Sequence, residues 1–140
     1  MKYYFREPEV AGGLGEKSVI DSTTHPPKVD KLQYIFSGWL GDAILESFPC
    51  VIATQDASDV LQDSQATGVE FADVEVLTSS EFRELYPEGN LPSFKWLKVN
   101  GKPGKDDFGI ADDLRLVVSA RVLKLLQPFG IKHALISDFV

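Results

Sequence analysis

The residues that could do chemistry in this chain are few and scattered. It has two histidines, His25 and His133, and one cysteine, Cys50. The usual zinc sites need several closely spaced Cys and His ligands, and neither HxxxH nor HExxH spacing occurs. A Cys–His nucleophilic pair would need Cys50 exposed beside a histidine. Cys50 instead opens the apolar run Cys50-Val51-Ile52-Ala53, where a buried small hydrophobe is expected. His25 stands beside two prolines in a loop and His133 begins the last strand, positions for structural or solvated side chains. No serine sits in a GxSxG elbow and no Walker-type phosphate loop is present. The glycines at 12, 13 and 15 miss GxGxxG spacing. One cysteine also excludes an intrachain disulfide.

Carboxylates are the remaining candidates, and Asp106, Asp107, Asp112 and Asp113 form the densest acidic cluster. Paired carboxylates serve glycosidases or bind hard cations, although the alternating oxygen spacing of a calcium loop is missing. The plainer reading is an acidic, flexible surface loop over 104–113, in which Asp107 or Asp113 caps a turn. Neutralising the four together should then leave the fold nearly intact. No catalytic, cofactor-binding or metal-ligating residue is assigned. Trp39 and Trp96 are the largest apolar side chains. Trp96, between Lys95 and Lys98, should alternate inward on a strand. Trp39, inside Gly38-Trp39-Leu40-Gly41, is the better interface anchor, since tryptophan is enriched at binding hot spots.

The elements that must hold these residues are short. Residues 1–9 can form a strand, 10–15 a flexible glycine-rich stretch, and 18–32 a loop or extended edge. Residues 32–36 read as a strand. Asp42 should cap a helix over 43–48 that Pro49 stops. A clear unit follows: strand 50–53, Thr54 as N-cap, and a helix carrying Ala57, Val60 and Leu61 on one stripe. Residues 69–76 alternate with a phase slip at Ala72-Asp73, which predicts one strand with a bulge. Thr78-Ser79-Ser80-Glu81 matches a capping box for a helix through Tyr86, ended by Pro87. Residues 94–99 are a strand, and Asn100-Gly101 a turn. The unit then recurs: strand 115–118, Ser119 as N-cap, a helix with Val122, Leu125 and Leu126, a stop at Pro128 and Gly130, and a strand over 132–140. The two units match at an offset of 65 residues, with Val51-Ile52-Ala53-Thr54 on Leu116-Val117-Val118-Ser119. On the same offset, Asp42 falls on Asp107 and Leu45 on Ile110.

The 140 residues suit one α+β domain with a mixed sheet, short helices and a strand–helix–strand duplication. A hydrophobic fraction of 44% can build a core. No apolar run approaches the roughly 20 residues needed to span a bilayer, and the N-terminus turns charged too early for a signal peptide. A cytoplasmic protein without a membrane partner is expected. The net charge of −7 argues against nucleic-acid binding, which needs Lys and Arg, and fits a solvated surface or a basic partner.

Seven segments together resemble a known family. They are GWLGD at 38–42, ESFPC at 46–50, TGVEF at 67–71, SEFRELYP at 80–87, LPSFKWLKV at 91–99, DDFGI at 106–110 and LVVS at 116–119. Their order and spacing resemble the DUF1629-like immunity proteins of bacterial polymorphic toxin systems. The resemblance spans about 40–139 within the family-like part 38–140, while 1–37 matches nothing. It implies a cytoplasmic, non-catalytic neutraliser of a cognate toxin or effector protein. Trp39, Asp42, Asp106, Asp107, Asp112 and Asp113 are the partner-binding candidates on the residue reading. A small hydrolase using the acidic cluster, or a scaffold module with another partner, are the alternatives. The oligomeric state is left open.

Overall fold

Thr54 and Ser119 each end a strand and cap a helix, and the fold is organised around these two points. In this computed structural model, residues 2–21, 23–24, 28–39, 41–47, 50–87, 91–129 and 134–139 are described. His25, His133, Pro49, Gly130 and the first residues of the expected last strand lie outside them.

The first unit begins with β6 (Ile44–Ser47), which pairs antiparallel with β7 (Cys50–Thr54). The β-branched and small apolar residues of β7 suit a strand buried on both faces. The Thr54 hydroxyl then accepts from the Ala57 N–H at 3.3 Å, capping α1 (Gln55–Asp63). Ala57, Ser58 and Leu61 form its buried stripe. The strands β8 (Val69–Ala72) and β10 (Phe94–Val99) complete a four-stranded sheet in the order β6-β7-β10-β8.

The second unit repeats this path. Strand β11 (Phe108–Ile110) pairs with β12 (Leu116–Ser119), and the Ser119 hydroxyl accepts from the Val122 N–H at 3.2 Å to cap α3 (Ala120–Leu126). A 3-10 turn over Gln127–Phe129 follows, and then β13 (Leu135–Asp138). The place of β10 is taken by β1 (Tyr3–Glu7) from the other end of the chain, giving the order β11-β12-β1-β13. The registers agree residue by residue. Thr54 faces Phe94 as Ser119 faces Tyr3, and Trp96 faces Ala72 as Phe5 faces Ser137. The leading hairpins differ by one residue. The Thr54 N–H donates to the Ala43 carbonyl, whereas the Ser119 N–H donates to the Asp107 carbonyl, so Asp107 corresponds to Ala43 and not to Asp42.

A third sheet, β2-β5-β9, is formed by β2 (Gly12–Leu14), β5 (Gln33–Phe36) and β9 (Glu75–Thr78), with β5 and β9 parallel. The hairpin of β3 (Val19–Asp21) and β4 (Lys28–Lys31) stands apart from it. The helix α2 (Ser80–Leu85) covers the third sheet through buried Phe82. The first four-stranded sheet is the middle layer. Val51, Ala53 and Leu97 pack on one side with Leu61, Val122 and Leu126 of α1 and α3. On the other side Ile52, Phe94 and Trp96 pack with Tyr34 and Phe36. The chain is therefore a single α+β domain.

Several local expectations are corrected. Residues 44–47 are strand β6 and not a helix capped by Asp42, because Ile44 and Leu45 enter two different cores on opposite faces. The 10–15 stretch contains β2. A Cβ on Gly12 would lie 1.9 Å from the Ile35 carbonyl oxygen, so glycine there permits strand contact and is no sign of flexibility. Residues 69–76 are two strands in different sheets, and the slip at Ala72-Asp73 marks the crossing. The cap of α2 is Ser79, whose hydroxyl accepts from the Phe82 N–H at 3.1 Å, because Thr78 is still paired in β9. The acidic stretch 104–113 is not one loop: β11 runs through it with Phe108 fully buried.

Position 6 breaks the agreement between the units. By register Arg6 stands where the first unit has Leu97. It faces Leu116 across the strands, with its guanidinium nitrogens buried and without hydrogen-bond partners. Burial lowers its pKa to about 10, against the opposing charge of Asp42.

Candidate functional site

A ladder of aromatic rings leads from the second core to the surface. Tyr34 and Phe36 are 4.9 Å apart between ring centroids, and Phe36 touches both Phe94 at 5.1 Å and Phe82 at 6.1 Å. From Phe94 the ladder reaches Trp39 at 6.0 Å, and from Phe82 it reaches Tyr86 at 4.9 Å. The Tyr86 hydroxyl closes the two arms by donating to the Trp39 carbonyl at 3.4 Å.

Local sequence sets this corner. The indole N–H of Trp39 donates to the Asp42 carbonyl at 3.0 Å across Gly41, whose φ of +102° suits glycine. Half-buried Trp39 thus has its ring fixed edge-on to Phe94. Tyr86 ends α2 at its C-cap, and beside it Leu85 is 67% exposed. Glu81 and Glu84 stand exposed on the same short helix. The sequence pattern alone does not single out Tyr86 or Leu85. The available signal is a tyrosine at a helix end before proline, where a ring is left half outside.

The acidic candidates do not come together. Asp42 is only 2% exposed, and its backbone N–H donates to the Glu9 carboxylate at 3.2 Å. Asp107, 8% exposed, points into the junction of β8, β11 and α3. There it accepts from the Thr67 N–H at 3.0 Å, the Ser119 hydroxyl at 2.8 Å and Arg121 at 2.9 Å. Partial burial pushes its carboxyl upward, but the hydrogen bonds from Arg121, Thr67 and Ser119 outweigh this and hold it below its ordinary value. Its neighbour Asp106 turns the other way and accepts from the Lys102 N–H at 2.8 Å. Asp112 and Asp113 lie exposed at the far end of β11, and Asp113 pairs with Arg115 at 2.8 Å. Asp106 and Asp107 therefore do not face one cleft as an acid–base pair.

Cys50 is buried, as expected, and burial alone pushes its thiol up to about 12. A thiol so held stays protonated near neutrality, the form that is the weaker nucleophile. It borders a cavity of about 380 Å³ walled by Val29, Trp96, Val99 and Ile110. The charges around that cavity are matched: Lys28 with Asp30 at 3.9 Å, and Lys98 directly across from Glu70. Among the described residues there is no group of three or more metal-ligating side chains, and no helix long and apolar enough to cross a membrane. No family model matches the chain, and no curated protein or solved structure is significantly similar to it.

Proposed function

We propose that this chain is a cytoplasmic, non-catalytic binding protein that holds a cognate bacterial toxin or effector inactive by covering its working surface. The observation that carries the reading is the Trp39–Tyr86 corner. Two aromatic side chains are held rigid by ring packing and hydrogen bonds, with Leu85 exposed beside Tyr86. Rigid, half-exposed Trp and Tyr lose little entropy on binding and are the side chains most enriched in interface hot spots. The net charge of −7 suits a basic partner and speeds encounter more than it tightens the complex. The resemblance to immunity proteins names the class of partner.

The test is co-expression with the toxin encoded beside it, followed by binding kinetics. The wild-type protein should protect the cell and bind. Trp39→Ala and Tyr86→Ala should each raise the dissociation rate more than tenfold while the association rate changes little. A folded wild-type protein that neither binds nor protects overturns the reading.

A further inference from the structure

The second unit carries a cleft of about 470 Å³ where the end of β1, strand β6 and the β11–β12 turn meet. Glu7 and Glu46 both line it. Its cation, Arg115, is already engaged: Nε pairs with Asp113 at 2.8 Å, and the guanidinium lies 3.6 Å from the centre of the Phe5 ring. Among the described residues the Glu46 side chain forms no hydrogen bond or ion pair. Its carboxyl is raised above the ordinary value by burial and then by the charge of Glu7.

The repeat supplies an independent comparison. Lys98 of the first unit faces Glu70 across the strands, an opposed-charge pair. By register the same two positions in the second unit are Glu7 and Leu135. There the cation is replaced by a carboxylate and its partner by a leucine that is 68% exposed. Val10, also 68% exposed, lies at the rim, and Leu114 forms an apolar wall. The first unit sets opposite charges face to face at this position, whereas the second brings two carboxylates together beside apolar residues.

We propose that this cleft is a socket for an arginine side chain of the basic partner protein, with Glu7 and Glu46 holding the guanidinium and Val10 and Leu114 covering the aliphatic stem. An arginine fits this chemistry: a planar fork of donors for two carboxylates on a chain of methylenes for apolar walls. The proposal deepens the toxin-binding reading and rests on it for the identity of the partner.

The probe is a capped Gly-Arg-Gly peptide titrated into the protein while the side-chain carboxyl resonances are followed by NMR, with a citrulline peptide as the neutral isostere. The Glu46 and Glu7 resonances should move with the arginine peptide only, and the Glu7→Gln, Glu46→Gln double variant should lose the response while keeping its thermal unfolding transition. In the toxin assay the same variant should bind at least tenfold more weakly. No shift, an equal shift with citrulline, or unchanged toxin affinity in the folded variant overturns the socket. If the arginine response stands but the protein neither binds nor protects against the toxin, the toxin reading fails and the socket does not.

Discussion

Asp107 and Arg121 meet at 2.9 Å across the start of α3, and the carboxylate that holds this arginine also takes the hydroxyl of the helix cap, Ser119, at 2.8 Å. One side chain thus joins β8, β11 and α3. Asp107→Asn should cost about 2–3 kcal/mol, because charge-assisted hydrogen bonds are lost at a nearly buried position. The folded carboxyl lies below its unfolded value. Its contribution is therefore whole above about pH 5 and is lost as pH falls through the folded value. Chemical denaturation of both proteins between pH 2 and 7 should show that the variant lacks this part of the acid loss. Unchanged stability would mean that Asp107 does not tie these elements together.

The two caps should not be equal. Thr54→Ala removes one hydrogen bond to a backbone N–H and should cost about 1 kcal/mol. Ser119→Ala removes the same bond and also the one to Asp107 in a fully buried setting, so about 2 kcal/mol is expected. Urea midpoints with unchanged slopes measure both. The ranking, more than either value, is the test.

Gln65 sits at φ 56° after α1, with its N–H on the Gln62 carbonyl and the next N–H, of Ala66, on the Leu61 carbonyl. This double closure normally uses glycine. Gln65→Gly should stabilise the protein by about 0.5–1 kcal/mol, the relieved left-handed strain exceeding the added freedom of the unfolded chain. A lower urea midpoint would mean that the glutamine side chain contributes more than its exposed position indicates.

Arg6 and Asp42 form a buried pair of opposite charge without good hydrogen-bond geometry on the arginine. Asp42→Asn alone should lose about 3 kcal/mol, since it leaves the cation with less countercharge in a dry core. Adding Arg6→Met should restore most or all of that loss, as an apolar residue fits the site that Leu97 fills in the first unit. Thermal unfolding of both single variants and the double closes the cycle. A double variant as unstable as Asp42→Asn would show that the arginine stabilises the core through contacts other than charge.

What the sequence makes legible is local. Thr54 and Ser119 can be read as caps because a hydroxyl between an apolar strand and a helical stripe is a short-range signal. Strand β10 is legible for the same reason. Strand β6 is not, because Asp42-Ala43 resembles a helix start, and only the two cores on either side of Ile44 and Leu45 decide otherwise. The burial of Asp107 is hidden as well, since its partners Thr67 and Arg121 come from distant parts of the chain. For Trp39 the residue type is enough to name the candidate, but the ring packing that fixes it depends on Phe94 and Tyr86.

The exchange of β10 for β1 has a consequence for how the chain is made. Every residue that pairs the first unit is present once residue 99 has been synthesised, so that sheet can close early. Tyr3, in contrast, pairs with Ser119, and Phe5 with Val117 and Ser137. At about 5–20 residues per second of translation, β1 waits on the order of 10 s for its neighbours. During that wait an apolar strand carrying Tyr3, Tyr4 and Phe5 stands open on both edges. Closing it requires the slow, long-range pairing characteristic of high contact order. Insertion of β1 between β12 and β13 therefore has to follow the synthesis of both, and nascent chains that stop short of β13 should be the ones that aggregate or recruit chaperones.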